Sequence, residues 1–365
     1  MTDYPDYTSK FPELGFYGLP GHTRSPREIL DQVRHAEALG IGNVMISERP
    51  DYKEIASICG AVAAVTEDIF IGTSATNGNT RHPLITASMG STLNALSEGR
   101  FALGLAKGGG KARWRMMDLA PNDYARTEEL IGLLRRLWNG ETIEHHEGKL
   151  GTFTGIKLAD YVRADVPLLY VGFGPTSLEH AGRHFDGTHL HTFMSDQCLA
   201  QAVQHVRNGE AAAGRPTGTV KNWSVFATLC EPDEQRYLKA VVGRLATYLQ
   251  IPGYGDMLAA INGWDPEVLQ RFRTHRAVTS VGGLIDSVAT LDQLAEIDKL
   301  IPEAWRPAAI GSPQECARRW LDQFEAGADG IIIHASTPEQ FEPVLSAYEA
   351  IRPAERFAGR TNRPA

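Results

Sequence analysis

The chain lacks most of the marks that announce a function. Its four cysteines, Cys59, Cys198, Cys230 and Cys316, are far apart and form no Cys-X-X-Cys pair, which suits reduced, buried thiols and gives no disulfide or zinc framework. No apolar run approaches the ~18 residues that span a bilayer. The opening MTDYPDYTSK has neither a basic start nor an apolar segment, so no signal peptide is expected and the expected location is cytoplasmic. No Lys/Arg run offsets the net charge of -8 and the pI near 5.9, and neither nucleic acid nor an anionic membrane is an expected partner. A Gly-X-Ser-X-Gly elbow, a phosphate loop of the Walker A kind and a His-Glu-X-X-His pair are all missing, so serine hydrolase and P-loop chemistry have no support.

What is present is core-building material. Hydrophobic residues make up 42% and charged residues 22% of 365 positions, enough for one large core. The organising stretch is Ile69 to Gly110: a buried strand (Ile69–Ala75), a polar loop, a helix opened by Pro83 and closed near Gly99, and a second buried strand (Phe101–Ala106) running into glycines. Strands of almost wholly apolar and small residues around a helix predict a parallel sheet covered on both faces. Ligands of such folds bind at the carboxyl ends of strands, so the loops Thr73–His82 and Lys107–Arg113 are expected to lie side by side at an active site.

The same alternation runs through the chain. Strand one is expected at Leu14–Leu19, strand two from Ile41 with Glu48 at its carboxyl end, and a helix over Tyr52–Thr66. Leu130, Leu133, Leu134 and Leu137 mark a helix over Asn122–Trp138, stopped by Asn139-Gly140. Strand five is Pro167–Gly172, strand six Thr188–Thr192, strand seven Trp223–Leu229 and strand eight Ile331–His334. Two stretches interrupt the rhythm: 141–166, polar and glycine-rich, reads as a small hairpin, and 231–308 reads as a helical lid or pocket wall. The prediction is a single (β/α)8 TIM barrel over 1–351, with insertions after strands four and seven and a flexible tail over 352–365.

These residues resemble the bacterial luciferase-like monooxygenases, including the members that use the deazaflavin coenzyme F420. The matching pieces are GIGNVMISER, AVAAVTEDIFIGTSATNGNTRHPLITASMGSTLNALSEGRFALGLAKG, VPLLYVGFGPTSLEHAGRHFDGTHLH and AIGSPQECARRWLDQFEAGADGIII. GFYGLPGHTRSPRE with ISER is most similar to the deazaflavin-dependent branch. The resemblance implies a luciferase-like barrel, F420 as cofactor with FMN as the alternative, hydride exchange with a small organic substrate, and a homodimer. It also implies a non-proline cis peptide at the end of strand three, at Ser74-Ala75.

Candidate residues follow. The ring of the cofactor is expected against Ser74, Ala75 and Thr76, and small residues at Gly72, Ser74 and Ala75 let it approach the backbone. Its phosphate end is expected where Gly172, Phe173, Gly174, Pro175 and Thr176 lead into a helix, since free N–H groups and the helix dipole attract anions. Lys107 and Gly108, with Gly109 and Gly110, form a second contact or an ordinary flexible lid. Glu48 is the candidate for acid/base or positioning work, its pKa raised by apolar surroundings, or else a salt-bridge partner of Arg49 or Lys53. His22 either reaches the pocket or is a solvated loop histidine, and Arg81 and His82 either touch ligand or cap the Pro83 helix. No metal is expected at this site. The rival is His189 with His191, alternate residues on one strand that could bind a metal as in barrel hydrolases.

Overall fold

Eight parallel strands close on themselves in the computed structural model, which describes residues 4–21, 23–49, 52–108, 111–160 and 162–365. They are β1 (Phe11–Tyr17), β2 (Ile41–Ile46), β3 (Phe70–Thr73), β4 (Phe101–Ala106), β5 (Leu168–Val171), β6 (Gly187–His189), β7 (Lys221–Cys230) and β8 (Gly330–His334). Each strand pairs with the next, and β8 returns to β1 with Leu14 opposite Ile331. The result is the expected (β/α)8 barrel.

Side-chain alternation explains the two layers of core. Ile331 and Ile333 of β8 pack outward with Phe16, Val44 and Leu103, while Ile332 packs inward with Met45, Trp223 and Val225, as successive strand residues face opposite sides. Small residues occupy part of the interior: a Cβ on Gly104 would sit 1.8 Å from the Thr73 carbonyl oxygen, and one on Gly72 2.4 Å from Met45 Sδ. The outer layer is formed by helices such as Pro83–Leu96, Tyr124–Trp138, Pro175–His184, Asp196–Ala212 and Pro338–Ile351. Among the described residues, no helix is long and apolar enough to cross a membrane. All four cysteines are buried and unpaired.

Several boundaries move. β3 stops at Thr73, β6 ends at His189 instead of Thr192, and the second helix is Ile55–Ala63, started by the Glu54 side chain accepting from the Ala56 and Ser57 amides. Between β4 and β5 lies an antiparallel hairpin, Ile143–Gly148 with Gly151–Ile156. After β7 a run of helices from Glu234 to Asp298 builds its own core from Val241, Leu245, Leu249, Leu258 and Leu294 against Ala227 and Leu229 of β7. The chain then adds a short strand, Ala309–Gly311, beside the end of β7.

The tail is a correction. Residues 352–365, expected to be flexible, close the barrel floor: Asn362 is fully buried and its amide group bonds Ser9 and the Asp68 carbonyl, and Trp223 Nε1 donates to the Pro364 carbonyl at 2.9 Å. Ala365 packs against Phe70, Ala102 and Leu169. The tail is held mainly by hydrogen bonds, so its low apolar content gave no periodic signal.

Candidate active site

The carboxyl ends of β1, β2, β3 and β6 meet at one serine. The Ser74-Ala75 peptide is cis. Ser74 N donates to the Ile46 carbonyl at 2.6 Å, its carbonyl accepts from Tyr17 Oη at 2.9 Å, and its hydroxyl bonds both Tyr17 Oη and His189 Nδ1, the latter at 3.1 Å. Ser74 is buried and Ala75 half-buried, at the strand-end face. Beyond them Thr76–Asn77 pair with Leu105 and Ala106, so the loop after β3 runs along the carboxyl end of β4.

Glu48 is engaged on both oxygens. Arg81 Nη2 donates to Oε1 at 2.6 Å and Thr76 Oγ1 to Oε2 at 2.6 Å, while the same Arg81 nitrogen reaches Glu54 at 2.7 Å. Both side chains are largely shielded, 10% exposed for Glu48 and 16% for Arg81. Glu48 is thus paired with Arg81, and Arg81 ties the β2 and β3 loops together. Burial works against the Glu54 carboxylate, but hydrogen bonds from Ser57, Ala56 and Arg81 hold its pKa down at about 2. His82 caps the Pro83–Leu96 helix through Nδ1, 3.1 Å from Leu84 N. His22, Gly109 and Gly110 lie outside the described residues.

Two loops carry the residues expected at the anion end. Gly174, at φ +94°, precedes Pro175 at the first position of helix Pro175–His184, and no side chain caps that helix. The first-turn amides of such a terminus lack helical partners. Lys107 Nζ lies 4.2 Å from the centre of the Tyr124 ring, and Tyr124 Oη bonds Ser177 Oγ at 2.7 Å. Lys107 is thereby linked, through Tyr124, to the first turn of helix Pro175–His184.

The metal reading of the strand-six histidines separates on geometry. His189 Nδ1 turns to Ser74, whereas His191, beyond the strand, bonds Tyr254 Oη through Nε2 at 2.7 Å. Among the described residues, neither belongs to a converging group of three or more His, Cys, Asp or Glu side chains. Burial pushes the pKa of each, and of His334, down to about 3, so all three imidazoles are neutral at pH 7.

Sequence reasoning missed Tyr17, Arg244, Tyr248, Tyr254 and His334. Tyr17 packs its ring edge-on to His334 at 5.4 Å, and burial pushes its hydroxyl pKa up to about 12. The helical insertion contributes Tyr254, against Phe173 at 5.0 Å, and Tyr248, against His191 at 4.7 Å. Arg244 lies over Tyr248 and pairs with Asp286 at 2.7 Å. Nothing local marks these residues; only the alternation of β1 could have turned Tyr17 inward. Among the described residues, His189 Nε2 and His334 Nδ1 are buried without a hydrogen-bond partner, a departure from the usual satisfaction of buried polar atoms that leaves donors or acceptors for a ligand. A separate cavity of about 710 Å³, between the insertion and Ala309–Gly311, is lined by Glu231, Tyr237, Asp298 and Lys299 and holds none of the expected site residues.

A parallel barrel with a polar, aromatic cluster at its strand carboxyl ends defines a TIM-barrel enzyme of the cofactor-binding kind. The chain belongs to the luciferase-like monooxygenase family, whose model matches residues 14–330. It is 28% identical to a 5,10-methylenetetrahydromethanopterin reductase of Methanolobus tindarius, over 84% of this chain and 89% of the relative. It is 33% identical to an F420-dependent glucose-6-phosphate dehydrogenase of Beutenbergia cavernae, over 59% of this chain and 68% of the relative. Among solved structures, the coenzyme F420 dependent tetrahydromethanopterin reductase from Methanopyrus kandleri superposes with a TM-score of 0.76, at 21% identity, covering 95% of this chain and 99% of that one.

Proposed function

We propose that this enzyme is a coenzyme F420-dependent oxidoreductase that moves hydride between the deazaflavin and a small organic substrate. One observation carries the reading: a half-buried Ala75, backed by Tyr17, Ser74 and His189, lies at the strand ends, and Lys107 sits over Tyr124, whose hydroxyl bonds Ser177 in the first turn of an uncapped helix. That is a floor for a flat ring together with an anion site. Of the two relatives named above, the F420-dependent dehydrogenase supports the same cofactor and the reductase supports redox chemistry on a small organic molecule.

Ser74, Ala75 and Thr76 would hold the ring. Gly172, Phe173, Gly174, Pro175 and Thr176, with Lys107 and Gly108, would hold the phosphodiester end. When bound, the deazaflavin supplies a hydride carried on a ring carbon, and the protein supplies orientation and electrostatics. Glu48 acts as a positioner: through Arg81 and Thr76 it fixes the loop that carries Ala75. His22 is a second candidate for contact with substrate. The insertion brings Arg244, Tyr248 and Tyr254 over the substrate end, where neutral His191 and His334 offer hydrogen bonds without adding charge. The same reading takes the protein as a cytoplasmic homodimer, a state that light scattering checks.

A reduced-FMN monooxygenase is the second reading, favoured by the family itself. Titration with coenzyme F420 and, in parallel, FMN, followed by tryptophan fluorescence, separates the two. Saturable binding of F420 alone is the expected result. Binding of FMN alone replaces the proposal with the monooxygenase, and binding of neither overturns both.

A further inference from the structure

Outside the barrel mouth, two helices of the outer layer bring together one carboxylate and two imidazoles. Glu128 lies on helix Tyr124–Trp138, and His180 and His184 lie on helix Pro175–His184. Residues four apart on a helix share a face, so the two rings stand one above the other, with centroids 4.8 Å apart. His180 Nδ1 is 3.3 Å and His184 Nε2 3.5 Å from the same Glu128 oxygen, Oε1. The three ligand atoms all lie within 4.8 Å of one another.

These groups approach without hydrogen-bond alignment: neither imidazole and neither carboxylate oxygen makes a hydrogen bond among the described residues. The His180 side chain is 5% exposed, held between the rings of Tyr124 and Phe185, so its position is fixed before any ligand arrives. Glu128, at 45% exposure, opens one side to water. Nearby guanidinium charges already have partners, Arg135 with Asp186 and Arg183 with Glu179. A plain helix contact would need only apolar packing at this place. Two imidazoles and a carboxylate converging with one side open is instead the donor set of a zinc-type site that keeps a water.

We propose that Glu128, His180 and His184 bind one divalent transition-metal ion of the zinc class, pinning the two helices together. The ion would steady helix Pro175–His184 from its carboxyl end. His180 touches the Tyr124 ring, and Tyr124 in turn bonds Ser177 in the first turn of that helix.

The test uses the full chain, stripped with a chelator and titrated with Zn²⁺ by calorimetry and with Co²⁺ by visible absorption. The expected result is saturation near one ion per chain, Co²⁺ bands that Zn²⁺ displaces, and slower hydrogen exchange in helix Pro175–His184 with metal bound. His184→Ala and Glu128→Gln alter half-buried or exposed side chains, and circular dichroism checks that they stay folded. Each is expected to weaken binding by more than about tenfold, since outer-shell partners alone are worth about 10–100-fold. The absence of saturable binding, or binding equally tight in both variants, overturns the site.

Discussion

Tyr17 Oη donates to the Ser74 carbonyl at 2.9 Å, so the last residue of β1 holds the turn that ends β3. The hydroxyl also bonds Ser74 Oγ, which His189 Nδ1 approaches from β6 at 3.1 Å. Three strands distant in sequence are thus joined through one side chain. Tyr17→Phe removes the donor and leaves a buried carbonyl unpaired, which costs about 1–2 kcal/mol. The expected outcome is a lower urea midpoint together with roughly tenfold weaker F420 binding. A lower midpoint with unchanged affinity would give Tyr17 a purely structural role.

The Glu48–Arg81 pair is shielded enough for the charges to couple. Glu48→Gln keeps an acceptor for Thr76 but removes the charge facing Arg81. A double-mutant cycle with Arg81→Met is expected to give a coupling energy of about 1–3 kcal/mol. If Glu48 positions the loop, both single variants raise KM to a similar degree. A proton-transfer role would instead confine the loss to kcat of Glu48→Gln, with Arg81→Met nearly unaffected.

Ala75 offers the sharpest test of where the ring lies. It is half-buried at the strand ends, and a longer side chain there would stand in the proposed ring position. Ala75→Leu is expected to change stability by less than about 0.5 kcal/mol. F420 affinity is expected to fall at least about 100-fold, from steric occupation of the proposed ring position. Retained affinity places the ring elsewhere.

The barrel was legible because its strands carry their own pattern. Phe101–Ala106 appears over the same residues in sequence and structure, since Phe101, Leu103 and Leu105 face the helices while Ala102 and Gly104 face the interior. The site was legible in part: the strand-end loops and the Gly174-Pro175 helix start are local features of the chain. Tyr254 was not, because its meeting with His191 depends on how an insertion folds back across the barrel mouth. The partner of Glu48 was missed for the same reason, Arg81 being 33 residues away where Arg49 is adjacent. The tail carries no periodic apolar pattern to mark it, because its hydrogen bonds serve a floor built by other strands.

Deleting residues 360–365 tests that floor. Asn362 N bonds the Tyr7 carbonyl at 2.8 Å, its side chain bonds Ser9 and Asp68, and Pro364 accepts from Trp223. At ~1 kcal/mol for each buried hydrogen bond, the loss is about 4–5 kcal/mol. Thermal and urea unfolding measure it. A truncated protein as stable as the full chain contradicts the plug.

Three shielded histidines at the barrel mouth contribute to the response to acid. His189, His191 and His334 have folded pKa values lowered by burial to about 3, against an unfolded value of 6.5. Below 6.5 the unfolded chain takes up protons that the folded chain refuses, so the stability these residues contribute is present above that pH. It is lost progressively as pH falls from 6.5 toward 3. Each imidazole adds a slope of up to about 1.4 kcal/mol per pH unit in that window. Urea midpoints measured across it are expected to fall steeply on the acid side, and His334→Gln, which cannot take up a proton, should flatten the slope by about one imidazole's share. An unchanged slope in that variant means that His334 is protonated in the folded protein, and the neutral, hydrogen-bonding wall proposed for the substrate end would then carry a positive charge.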